Sequence, residues 1–145
     1  MDKRTTQKLE ETLRNIKDES GLNEYLESIE TFPEFKSFHE FFGHVLEEKH
    51  LDRSAVIKDS GLERTYAYQI LSGIKENPGK DKILRLCIAA KCTLNETLKA
   101  LEIANVPGLY VRNRRDIILI YAIENGLSVL EANLLLDQYK ENELA

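Results

Sequence analysis

Asp52-Arg-Ser-Ala-Val-Ile-Lys-Asp-Ser-Gly61-Leu-Glu-Arg64-Thr-Tyr-Ala-Tyr-Gln-Ile-Leu71 is the stretch that decides the fold. Asp52 is placed to cap a short helix carrying Ala55, Val56 and Ile57. Ser60-Gly61-Leu62 reads as a tight turn, because a glycine just past a helix end supplies the left-handed residue. Leu62 is the apolar plug of that turn. A second short helix follows over Arg64–Leu71, with Ala67 and Ile70 facing inward and Arg64, Thr65, Tyr68 and Gln69 facing outward. Two short helices joined by a tight glycine turn form the unit that carries a recognition helix to a major groove.

Outward from this stretch the pattern stays helical. Upstream, Phe35, Phe38, Phe41, Phe42, Val45 and Leu46 make a wide apolar stripe over 35–49. Downstream, 72–79 is a loop, and Asp81 opens a helix with Ile83, Leu84, Leu86, Cys87 and Ile88 apolar. Thr93-Leu94-Asn95-Glu96 is a capping box, starting a helix that presents Leu94, Leu98, Leu101 and Ile103 and is ended by Pro107-Gly108. Asn113 caps a helix bearing Ile117, Ile118, Ile120, Tyr121 and Ile123, which Gly126 stops. Ser128-Val129-Leu130-Glu131 is a second capping box, and the last helix buries Val129, Ala132, Leu135, Leu136 and Tyr139. Near the N-terminus, 5–17 and 22–29 read as two amphipathic helices broken at Gly21. No segment alternates with a strand's period of two. The expected architecture is all-α: an acidic helical arm (1–34), a five-helix helix-turn-helix domain (35–104) and a two-helix C-terminal extension packed on it (105–145).

The stretch LDRSAVIKDSGLERTYAYQILSGIKENPGKDKILRLCIAAKCTLNETLKAL resembles the Cro/repressor-like (Xre) helix-turn-helix family, a resemblance that covers Phe38 to Leu101. Its residues are the pair Val56-Ile57, then Gly61, Leu62 and the inward Ile70, the loop Gly73 to Pro78, and the closing segments from Asp81 and Thr93. Ile57 stands where the family has a small residue, and Glu63 where it has a serine-like cap. The resemblance implies a DNA-binding transcriptional regulator. Arg64, Thr65, Tyr68 and Gln69 would contact bases; Arg53, Ser54, Lys75 and Asn77 would contact phosphates. The chemistry suits those roles, since Arg forks onto guanine and Gln onto adenine. The partner would be double-stranded DNA, bound as a homodimer through the C-terminal helices.

Charge gives this reading both support and competition. The formal net charge is −5. Residues 1–34 hold five Lys/Arg against nine Asp/Glu, and 122–145 hold one against five. Residues 50–92 hold eight Lys/Arg against five Asp/Glu, so any nucleic-acid site belongs there or at Arg112, Arg114 and Arg115. For those three arginines, pairing with the acidic arm or the acidic last helix ranks above a phosphate contact. The low pI, and a Glu63 carboxylate that would repel nearby phosphate, favour the alternative: a protein-interaction module on a helix-turn-helix scaffold. A basic stripe across Arg53, Arg64, Lys75 and Lys80 would separate DNA from that alternative; an apolar patch at Tyr66, Tyr68 and Leu71 would favour it.

Other chemistries find no footing. His39 and His44 resemble a zinc-protease pair with one residue too many, which sets them about 140° apart around a helix. Gly73 to Lys80 resembles a phosphate loop, but Pro78 fills the place of a required glycine. Asn95-Glu96-Thr97 is a glycosylation sequon in form only. No catalytic grouping, cofactor site or metal site is expected, and Cys87 and Cys92 read as small reduced core residues. With no signal peptide and no bilayer-length apolar run, the expectation is a soluble cytoplasmic protein without membrane association.

Overall fold

The computed structural model describes residues 18–23 and 35–145. The chain divides into two compact units, Met1–Phe35 and Lys36–Ala145. Of the first, residues 19–23 are helical, and the Asp18 carboxylate accepts the Gly21 N–H at 2.7 Å. Gly21 therefore sits inside this stretch rather than breaking a helix. The expected helix over 5–17, and the expected helix over 22–29 beyond residue 23, lie outside the described residues.

Lys36–Ala145 carries seven helices and no strand: α1 Phe38–Glu48, α2 Arg53–Ser60, α3 Arg64–Leu71, α4 Lys80–Ala89, α5 Leu94–Ile103, α6 Arg114–Glu124 and α7 Val129–Gln138. Five of the seven beginnings, all but those of α1 and α4, are set by side-chain caps. Asp52 accepts from the Ala55 N–H at 3.1 Å, and Asn113 from Asp116 at 3.0 Å. Both capping boxes close reciprocally: Thr93 with Glu96 at 3.1 and 2.8 Å, Ser128 with Glu131 at 3.1 and 2.9 Å. Each cap satisfies N–H groups that a helix start leaves orphaned.

The ends follow one device, a left-handed residue just past the helix. Gly126 supplies it after α6, with φ +63°, but His50, Lys91, Asn105 and Lys140 supply it after α1, α4, α5 and α7, with φ from 54° to 62°. In each case the next residue's N–H reaches back five positions, as Val106 does to the Leu101 carbonyl at 3.1 Å. Asn105, not Pro107-Gly108, thus ends α5.

α4 is the hub of the core, packing against α2, α5 and α7, while α1 packs on α3 and α5 and α6 pairs with α7. Phe42, Ile70, Ile83, Leu84, Leu86, Leu101, Leu119 and Leu136 are fully enclosed, and both cysteines are buried free thiols. The hydrogen bond with Cys92, and then its own burial, push the Cys87 thiol well above the ordinary range, as expected of a structural thiol.

Several faces differ from expectation. α1 begins at Phe38, leaving Phe35 outside it, and α4 begins at Lys80 with Gly79 as its cap. α5 buries Thr97, Ala100 and Leu101, leaving Leu94, Leu98 and Ile103 half-buried. Thr97 can face the core because its hydroxyl donates to the Thr93 carbonyl at 2.9 Å. α6 buries Asp116, Ile118, Leu119, Ala122 and Ile123 and turns Ile117 and Tyr121 outward. The cause is Asp116, whose enclosed carboxylate binds Lys80 Nζ and the Tyr110 N–H, both at 3.0 Å. In α7, Leu135 is half-buried and Tyr139 exposed, lying past the helix end under the Arg114 guanidinium.

Candidate nucleic-acid interface

The turn between α2 and α3 is rigid for three reasons. Gly61 adopts φ +74°, as a turn glycine must. Ser60 is fully buried; its hydroxyl donates to the Ile57 carbonyl at 2.6 Å and accepts the Leu62 N–H at 3.2 Å. Arg85 of α4 lies over the turn and donates to the Ser60 carbonyl at 2.9 Å, so close that a Cβ on Gly61 would meet its Nη1 at 2.8 Å. The same guanidinium holds the main-chain oxygens of Leu144 and Ala145 at 2.8 and 2.9 Å. Sequence reasoning missed Arg85, and no local pattern marks it, because its partners are 25 and more residues away. Leu62, expected as the plug, is only half-buried.

α3 is fixed from below by Ala67, Ile70 and Leu71, all buried. Its start is held by Glu63, whose carboxylate accepts the Tyr66 N–H at 2.8 Å and the Thr65 N–H at 3.0 Å. Those two bonds, Tyr66 first, hold the Glu63 carboxyl below its ordinary value. The positive end of α3 is therefore already occupied by an anion of the chain itself.

The four residues expected to face bases lie together on α3. Arg64 and Thr65 are exposed; Tyr68 and Gln69 are half-buried. They form two columns one turn apart, Arg64 above Tyr68 and Thr65 above Gln69. The Arg64 guanidinium lies 5.6 Å from the Tyr68 ring centroid, which orders a side chain that would otherwise sample many rotamers.

The four residues expected to face phosphates are all exposed. Arg53 and Ser54 sit in the first turn of α2. Lys75 lies in the loop after α3, its N–H bonded to the Gln69 carbonyl at 2.9 Å and its ammonium 5.9 Å from the Tyr66 ring. Asn77 holds φ +56° in the same loop. Lys75 and Asn77 also line an open cleft with Ser37 and His39. Tyr66, assigned no DNA contact from sequence, is thus the platform for Lys75.

The expected basic stripe is not complete. Lys80 is taken up by Asp116 at 3.0 Å and by the Gly108 carbonyl at 2.9 Å. Lys91 is held by the Gly126 carbonyl. Arg53, Lys58, Arg64 and Lys75 have no carboxylate partner among the described residues. Residues 52–77 hold four Lys/Arg and four Asp/Glu, and Asp52 and Glu63 of the latter serve as helix caps. The apolar alternative is no more complete, since Leu71 is buried and Tyr66 and Tyr68 are half-buried under cations.

Of the Arg112–Arg115 cluster, Arg114 and Arg115 are used internally, while Arg112 is exposed with no ion-pair partner among the described residues. Arg115 forks onto Asp81 at 2.9 and 3.1 Å and donates to the Asn142 and Glu143 carbonyls. Burial alone would raise Asp81; Arg115 and the Ala145 N–H overcome it and hold the carboxyl low. Arg114 pairs with Glu141 at 3.1 Å. Among the described residues no three metal-ligating side chains converge, and no helix is long and apolar enough to cross a membrane.

The chain matches no protein-family model, no curated protein and no solved structure. The functional reading therefore rests on geometry and chemistry alone.

Proposed function

We propose that this protein is a DNA-binding transcriptional regulator of the Xre-like helix-turn-helix type, reading the major groove with α3. One observation carries the reading: Arg64, Thr65, Tyr68 and Gln69 share the solvent face of a short helix that is fixed by a left-handed glycine turn. Arg64 has no carboxylate partner among the described residues and is ordered by Tyr68. Arg64 and Gln69 supply the two bidentate contacts that distinguish guanine and adenine, and Thr65 can meet a thymine methyl. Arg53, Ser54, Lys75 and Asn77 flank that face and fix its register on the backbone. The protein acts as a homodimer through its C-terminal helices, with two copies of α3 meeting two half-sites about 34 Å apart. No enzymatic step is part of this reading, and the cytoplasm is its place of action.

Glu63 favours a second reading, in which the same scaffold binds a protein. A carboxylate on the N-terminus of α3 fills the position where a phosphate would otherwise bind. Selection of bound duplexes from a random pool, repeated at rising salt, separates the two. A DNA reader enriches one motif and loses affinity steeply with salt. No enrichment at low salt would leave the protein-binding reading standing alone.

A further inference from the structure

α6 carries on its solvent face a stripe that is complementary to itself. Arg114, Ile117, Tyr121 and Glu124 follow one another at spacings of three and four, which place them on one side of the helix. Ile117 is 47% exposed and Tyr121 55%, although their neighbours Ile118, Leu119, Ala122 and Ile123 are buried. Arg114 is anchored by Glu141 and stacked 5.9 Å over Tyr139, yet its side chain remains 66% exposed. Glu124 is exposed and has no hydrogen-bond or ion-pair partner among the described residues.

A two-fold axis crossing α6 midway between Ile117 and Tyr121 lays the helix antiparallel on its copy. Residue 114 then faces residue 124, and residue 117 faces residue 121, in both directions. An Ile–Tyr centre is flanked at each end by an Arg–Glu pair, and the positive end of each helix meets the negative end of the other. That is the self-complementarity an isologous interface needs. Tyr, Ile and Arg are also side chains suited to a desolvated contact.

We infer that this face of α6 is where a second copy of the chain docks. The inference names the surface of the homodimer and rests on that part of the functional reading, not on DNA binding. A second exposed apolar pair on a helix, Leu130 and Leu134 on α7, does not fit a second copy. The charged side chains of α7 are Glu131 and Asp137 only, so self-pairing there would bring like charges together.

Sedimentation equilibrium on the full chain tests this with Glu124→Arg, Arg114→Glu, their equimolar mixture, and Leu134→Lys. Each reversal sets like charges at two symmetric places and should weaken the dimer about tenfold or more. The mixture restores it, because each Arg again faces a Glu across the axis. Leu134→Lys leaves the dimer unchanged. Far-UV circular dichroism on each variant separates lost pairing from lost folding. A wild-type dimer indifferent to both reversals, or one that mixing does not rescue, overturns the α6 surface while leaving the homodimer intact. A wild-type chain that is monomeric at every concentration overturns both.

Discussion

Replacing Lys80 with methionine should destabilise the protein heavily and leave DNA affinity untouched. Asp116 is enclosed, its side chain 4% exposed, and binds Lys80 Nζ and the Tyr110 N–H, each at 3.0 Å. Methionine keeps most of the stem's bulk but removes the ammonium, leaving a buried carboxylate with one neutral donor. Breaking a buried pair from one side costs about 3–5 kcal/mol. The Lys80 side chain is 20% exposed, so water reaches that end of the pair and the lower figure applies. With a urea slope of about 1.5 kcal/mol per molar, a loss of about 3 kcal/mol moves the unfolding midpoint down by about 2 M. Adding Asp116→Asn removes the stranded charge while keeping an oxygen for the Tyr110 N–H, and should recover most of the loss. Urea titration of the two single variants and the double variant closes the cycle. A Lys80→Met cost below about 1 kcal/mol, or no recovery in the double variant, would refute the reasoning. So would a change in the salt dependence of DNA binding, because it would make Lys80 a phosphate contact.

Two further outcomes follow from the helix ends. His50→Gly should stabilise the protein by about 1 kcal/mol, since His50 holds φ +54° just past α1 and a side chain is disfavoured there; a lowered melting temperature would contradict this. Stability should also fall on acidification. Glu63, Asp81, Glu96 and Glu131 all titrate below their ordinary values in the folded chain. In Glu96, burial works upward, but the Thr93 N–H and Lys49 outweigh it. Groups depressed in this way contribute fully above their unfolded values, 3.8 for Asp and 4.5 for Glu, and lose that contribution as pH drops through the folded values. Urea midpoints should therefore be steady near neutrality and decline below about pH 4.5. A midpoint that rises as pH falls through that range would contradict it.

Much of the fold was legible because its signals are local. Asp52, Thr93, Asn113 and Ser128 cap the helices they were expected to cap, and α3 spans Arg64–Leu71 as read. What escaped is what depends on distant partners. The inward turn of Asp116 requires Lys80, 36 residues away, and it decides which side of α6 faces solvent. The role of Arg115 depends on Asp81, and that of Arg85 on Ser60, Leu144 and Ala145. The use of His50, Lys91, Asn105 and Lys140 as left-handed terminators was hidden because none of them is glycine. For the candidate site, the eight residues named from sequence are exposed or half-buried. The withdrawal of Lys80 depends on Asp116, 36 residues away, and the platform role of Tyr66 on the path of the loop that carries Lys75.

The most direct test is to measure the salt dependence of DNA binding for wild type, Arg64→Ala and Lys75→Ala on a duplex selected from a random pool. Wild type should bind the selected duplex well above background, with log affinity falling linearly in log salt. Arg64→Ala should lose about 1–3 kcal/mol and relax preference at one base pair, whereas Lys75→Ala should weaken all duplexes alike and lower the salt slope by about one. Selection that yields no sequence, or binding that survives Arg64→Ala unchanged, would contradict the assignment of α3 as a reading helix.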